Sequence, residues 1–142
     1  MQILEVQEPP LHSGRALRDW LLQLPGVGYK TASWIARNWL DADDVAILDI
    51  HVVRAGVLGG YMDASLSVQS DYLLLEAQFL RFSQALGIRA SELDAVIWME
   101  MMQSPSTVAQ LMEPLRGSFG QALRRRAPKV RDTHAVQASL VD

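Results

Sequence analysis

The run Leu24-Pro25-Gly26-Val27-Gly28 puts a proline and two glycines within four positions, between two segments of helical apolar spacing. Before it, residues 14–23 carry a stripe of Leu17, Leu21 and Leu22 that continues to Leu24. After it, Ala32, Ile35, Ala36 and Trp39 recur at i, i+3, i+4 and i+7 over residues 29–40, the spacing of one helix face. Proline and glycine at such density break both helices and force a sharp turn. The chain is therefore expected to double back here as an αα-hairpin. Glycine permits positive φ and close backbone approach, and the turn leads straight into a helix whose first amides carry partial positive charge. Gly26, Val27 and Gly28 can then hold a phosphate without any basic side chain. An ordinary αα-turn closed by proline and glycine is the other reading of this stretch.

The remainder reads as further helices. Residues 41–44 are an acidic loop, and Val45 to Leu48 is a short apolar run leading to Asp49, placed to N-cap a helix over residues 50–58. Gly59-Gly60 ends that helix. A long helix is expected over residues 67–86, with Leu73, Leu74, Ala77, Leu80 and Leu86 as its apolar face and Gly87 as its stop. Ser91 to Asp94 has the form of a capping box, opening a helix to about residue 102 with a core stripe of Leu93, Val96 and Ile97. Pro105 is expected to end it, and Ser106 or Thr107 to cap a short helix reaching residue 115. Residues 117–126 form a weak helical pattern ahead of a polar tail. No strand pattern survives, so the expected fold class is all-α, a helical bundle. Its expected parts are an N-terminal arm (1–13), a helical domain (14–104) and a C-terminal extension with a basic tail (105–142).

Charge and composition limit the chemistry. The 142 residues carry a formal net charge of -3, without the basic excess usual in nucleic-acid binders. The charge is unevenly placed: residues 1–115 hold 7 Lys+Arg against 14 Asp+Glu, and residues 116–142 hold 6 against 2. Arg124-Arg125-Arg126, Lys129 and Arg131 offer phosphate affinity, or a solvated tail. The absence of cysteine excludes disulfides, cysteine-ligated zinc and Fe-S clusters. No cofactor is expected, apart from an optional monovalent cation at the hairpin. No apolar run approaches the roughly 20 residues of a membrane span. The expected location is cytoplasmic and nucleoid-associated.

Two motifs are linked. The hairpin with Lys30 at its second helix, followed 19 positions later by Leu48-Asp49-Ile50-His51-Val52-Val53-Arg54, resembles the helix-hairpin-helix and Asp-containing segment of the HhH-GPD superfamily of DNA glycosylases. Members with lyase activity carry lysine where Lys30 stands. The resemblance implies that Lys30 is the nucleophile and Asp49 its carboxylate partner, in a bifunctional DNA glycosylase/AP lyase. Base removal needs attack at the sugar C1′ while positive charge develops on the ring. An amine attacks only when neutral, a form favoured by a helix N-terminus and by burial in a pocket. A carboxylate near C1′ stabilises the oxocarbenium-like transition state and assists proton transfer. Taken singly, Lys30 also reads as a solvated helix lysine and Asp49 as a simple N-cap. His51, by the same resemblance, would touch a phosphate beside the flipped nucleotide; a surface or packed histidine is the alternative. Arg54 either neutralises phosphate or pairs with the acidic loop.

Asp94, Trp98 and Met101 share a face off the expected core stripe, at spacings of four and seven. That face offers a carboxylate, an aromatic and a soft thioether to a flipped base, which needs stacking and edge hydrogen bonds. The segment Glu92 to Trp98 resembles the late helix of the prokaryotic 8-oxoguanine glycosylase subfamily, which implies Trp98 in the base pocket and Asp94 orienting the base or the site. Core packing is the other reading of Trp98. Trp34, one turn beyond Lys30 and followed by Arg37, either walls the pocket or packs.

The resemblance covers about residues 14–104. Relatives carry further helices before the hairpin, which implies a truncated member whose exposed apolar surface suits a homodimer or a partner chain. The expected partner is double-stranded DNA containing a damaged base, and the expected lesion an oxidised purine, 8-oxoguanine by resemblance. The rival expectation is a non-catalytic DNA-binding or interaction module; a third reading is a helical subunit that works only with a partner chain.

Overall fold

A computed structural model describes residues 8–115; the weak helix expected over 117–126 and the basic cluster lie outside the described residues. Among the described residues the protein is all-α: α1 (Gly14–Leu21), α2 (Tyr29–Leu40), α3 (Ile50–Leu58), α4 (Val68–Leu86), α5 (Ala90–Gln103), α6 (Pro105–Met112) and a closing 3-10 turn at Glu113–Leu115. The helices end where local chemistry stops them. The Ser13 hydroxyl accepts from the Ala16 amide at the start of α1. Asp41, in the left-handed region, closes α2, and Gly87 at φ 67° closes α4.

Two apolar cores form. The first holds the hairpin together: Leu17 and Leu21 of α1 meet Ala32 and Ala36 of α2, with Ala42 and Val45 from the following loop. Gly14 allows that loop to press against the start of α1, since a Cβ there would lie 2.5 Å from the Ala42 Cβ. The second core joins Leu48, Val52, Val53 and Val57 to Tyr72, Leu75 and Phe79 of α4 and Leu93 of α5. The loop over residues 41–49 straddles both, with Val45 in the hairpin core and Ala46 in the second.

Buried ion pairs join the two halves. Arg18 of α1 donates to Glu76 of α4 at 2.5 Å, with both side chains almost wholly buried. The second Glu76 carboxylate oxygen accepts from the Ala46 amide at 2.8 Å. Burial pulls the Arg18 guanidinium pKa down, but the hydrogen bond and charge of Glu76, aided by Asp19, outweigh it and leave it raised. Arg37 of α2 pairs with the partly buried Asp94 of α5.

Several helix faces differ from expectation. On α4 the buried face is Tyr72, Leu75, Glu76, Phe79, Leu80 and Ser83, while Leu73, Leu74, Ala77 and Leu86 are exposed. The core face includes an ion-paired glutamate, which apolar counting discards. On α2, Trp39 is exposed and Arg37 takes a core position; on α1, Arg18 is buried, and Leu24, beyond the helix end, is exposed. On α5 the inward row is Ala90, Leu93, Ile97 and Met101, and Val96 faces out. No capping box opens α5: Arg89 is the N-cap, without a side-chain cap bond, and Asp94 goes to Arg37. α5 ends at Gln103, just ahead of Pro105 as expected, and Pro105 also opens α6 at its first turn behind Ser104, so neither Ser106 nor Thr107 is the cap.

Candidate functional site

The hairpin turn has the expected backbone. Gly26 sits at φ 81°, where a side chain is strained. A Cβ on Gly26 or Gly28 would meet nothing within 4 Å, so the backbone is open to close approach. Gly28 caps α2 from an extended conformation and supplies no side-chain acceptor to the first-turn amides. Those donors stand at the positive end of a twelve-residue helix, beside Lys30. Lys30 itself is exposed, not enclosed as the pocket expectation had it.

Asp49 sits 19 residues on, as the N-cap of α3. Its Oδ1 accepts from both the His51 and Val52 amides at 2.9 Å. One oxygen thus anchors the carboxylate to the helix end. Asp49, Ile47, Val52, Asp94, Trp98 and Met99 line an open cleft of about 350 Å³ between α3 and α5, together with Ala95. The structure therefore brings together Asp49, Asp94 and Trp98, which are 45 and 49 residues apart in the chain. Trp98 is 48% exposed, a cleft wall and not a core residue. Asp94 is held by Arg37, whose guanidinium is buried and pulled below its usual value by that burial. Arg37 Nε and Nη2 find no partner among the described residues.

Other expected site residues fall elsewhere. Met101 is buried and faces a different cavity, of about 400 Å³, which His51 and Arg54 also line with α6 residues such as Val108 and Met112. Trp34 is 57% exposed on α2 and lines neither cavity. Lys30 does not line the Asp49 cleft. Arg54 is placed beside His51, and the acidic loop takes Arg89 instead: Arg89 donates to both Asp41 carboxylate oxygens at 3.0 and 3.2 Å. Sequence reading missed Tyr29, Arg37, Tyr72 and Glu76, which surround the elements carrying Lys30 and Asp49. For Arg37 and Glu76 the available signal was a charge at a helical core register, one residue beyond Ala36 and Leu75.

A hairpin with open glycines, a lysine on its second helix and a capping aspartate beside an aromatic cleft define a helix-hairpin-helix protein. The family model described as 8-oxoguanine DNA glycosylase matches residues 2–88, and the chain belongs to that family. A curated relative from Methanocaldococcus jannaschii, an 8-oxoguanine DNA glycosylase/AP lyase, is 34% identical over 87 residues, covering 59% of this chain and 42% of the relative. Another of the same description, from Metallosphaera sedula, is 35% identical over 82 residues, covering 57% of this chain and 39% of the relative. The chain thus spans about two fifths of the length of these relatives. No solved structure matches it significantly. The family match stops ahead of α5, so the placement of Asp94 and Trp98 at the cleft rests on the geometry. No helix among the described residues is long and apolar enough to cross a membrane.

Proposed function

We propose that the protein is a base-excision DNA glycosylase with AP lyase activity, acting on an oxidised purine, 8-oxoguanine in the first instance, in double-stranded DNA. The observation that carries this reading is the capping of α3 by one Asp49 oxygen while the same carboxylate lines a cleft with Trp98 and Asp94. In this reading the hairpin glycines and α2 amides take a backbone phosphate, and His51 and Arg54 take neighbouring ones. The damaged nucleotide flips into the cleft, where Trp98 stacks on the base and Asp94 bonds its edge. The Lys30 amine bonds to C1′ as the C1′–N bond breaks, and the base leaves with that electron pair and a proton. Asp49 stabilises the positive charge that develops on the sugar. Ring opening gives a Schiff base on Lys30, which acidifies C2′. Loss of a C2′ proton then expels the 3′ phosphate by β-elimination.

The exposure of Lys30 favours a second reading, a DNA-binding module that keeps the hairpin without the reaction. Borohydride trapping separates the two. The 142-residue chain is incubated with duplexes carrying 8-oxoguanine or an abasic site, and borohydride is added. A covalent adduct that disappears in Lys30→Gln is the expected result. DNA binding that depends on Gly26 and Gly28 but gives no adduct would establish the module.

A further inference from the structure

Tyr72 of α4 carries neither reacting group, yet touches the neighbour of each. Its ring stacks on that of Tyr29, centroids 5.1 Å apart and planes 15° apart. Tyr29 is the first residue of α2 and directly precedes Lys30. The Tyr72 hydroxyl accepts from the Leu48 amide at 3.1 Å and donates to the Ala46 carbonyl at 2.7 Å. Leu48 directly precedes Asp49. Tyr72 is buried, and burial pushes its phenol up despite the Leu48 amide, so the hydroxyl keeps its proton at neutral pH. Neighbouring groups reinforce both ends. The Arg18 guanidinium lies 5.8 Å from the centre of the Tyr29 ring, and Glu76, one turn along α4, holds the Ala46 amide.

We propose that Tyr72 is a positioning residue for both reacting groups, setting the start of α2 and hence Lys30 through its ring, and the approach to Asp49 through its hydroxyl. The proposal rests on the assignment of Lys30 and Asp49 above. Lys30 stands on the hairpin and Asp49 on the loop that leaves it, so their separation depends on how firmly each is fixed to a common element. Tyr72 supplies that element. Small displacements of reacting groups lower rates steeply.

The two contacts can be cut separately. Tyr72→Phe removes the hydroxyl and keeps the stack; Tyr29→Leu removes the stack and keeps the hydroxyl. Two assays read the two arms at a temperature where circular dichroism shows each variant folded. Trapping on an abasic-site duplex requires Lys30 but no base departure. Single-turnover excision from an 8-oxoguanine duplex requires Lys30 and the Asp49 charge. Tyr72→Phe is expected to lower excision about tenfold and leave trapping within about twofold, a mild form of the Asp49→Asn pattern. Tyr29→Leu is expected to lower both about tenfold, a mild form of the Lys30→Gln pattern. Any other pattern in folded variants, including equal losses in both assays for Tyr72→Phe, overturns the proposal while wild-type activity keeps the function. A wild-type chain inactive in both assays overturns the function, and the positioning role with it.

Discussion

At the scale of single residues, Tyr61 shows how an unpaired group in the interior affects stability. Its ring stacks on Phe82 with centroids 3.7 Å apart, but its hydroxyl is buried without a hydrogen-bond partner among the described residues. Burial raises the phenol pKa to about 12. The folded state therefore holds this proton more tightly than the unfolded chain, whose tyrosines titrate near pH 10. The associated stability is present below pH 10 and lost as pH rises from 10 towards 12. Tyr61→Phe keeps the stack and discards the hydroxyl. It is expected to match or exceed wild-type stability at pH 8, by up to about 1 kcal/mol, with a lead that widens at pH 11. Urea midpoints at the two pH values test this; parallel losses in both proteins would show that Tyr61 does not titrate as described.

At the scale of the element, α3 depends on Asp49 in a way that separates cap from chemistry. The Oδ1 bonds to His51 and Val52 need only an acceptor, which an asparagine side chain also supplies. Asp49→Asn is expected to leave thermal stability within about 0.5 kcal/mol of wild type while abolishing excision. Asp49→Ala should lose excision and also about 1 kcal/mol of stability. Equal destabilisation by both changes would mean that the carboxylate charge, beyond its capping geometry, supports the helix. α4 makes the matching point about faces: the row that packs inward carries Tyr72 and Glu76 among its apolar members, and four of the five apolar residues expected to form the face point away from the core.

For the whole molecule, the decisive feature is that two apolar cores meet across charged contacts. α1 and α2 hold Lys30, while α3 and α5 hold Asp49 and the cleft; Arg18–Glu76 and Arg37–Asp94 fasten one half to the other. Glu76→Gln would leave the buried Arg18 guanidinium with only the exposed Asp19 carboxylate as counter-charge, at an expected loss of up to roughly 3–5 kcal/mol in a denaturant titration. The double change Arg18→Met with Glu76→Leu should recover most of it, because a buried pair gains little over well-packed apolar side chains. A double variant no more stable than Glu76→Gln would show that the pair is needed for specificity of packing. In Arg37 the Nε and Nη2 find no partner among the described residues, so the Asp94 pair leaves buried donors unsatisfied.

The hairpin, the boundaries of α2 and α3, and the capping role of Asp49 were all legible in the sequence. Each follows from chemistry within a few residues: a proline–glycine break, an uninterrupted helical register, a carboxylate ahead of an apolar helix. Lys30 and Asp49 could be linked by their spacing, and the family followed from that. Which face of each helix is buried was decided only by tertiary contact, because Arg18, Arg37 and Glu76 occupy core positions that become favourable only when a partner arrives from another helix. The same dependence explains the site. Asp94 and Trp98 reach Asp49 through the packing of α3 on α5, Met101 turns instead towards α6, and Tyr72 meets the neighbours of Lys30 and Asp49 from an element with no motif of its own. Local sequence specifies the pieces by short-range sterics and hydrogen bonding; their separation in space is set by burial and ion pairing between residues distant in the chain.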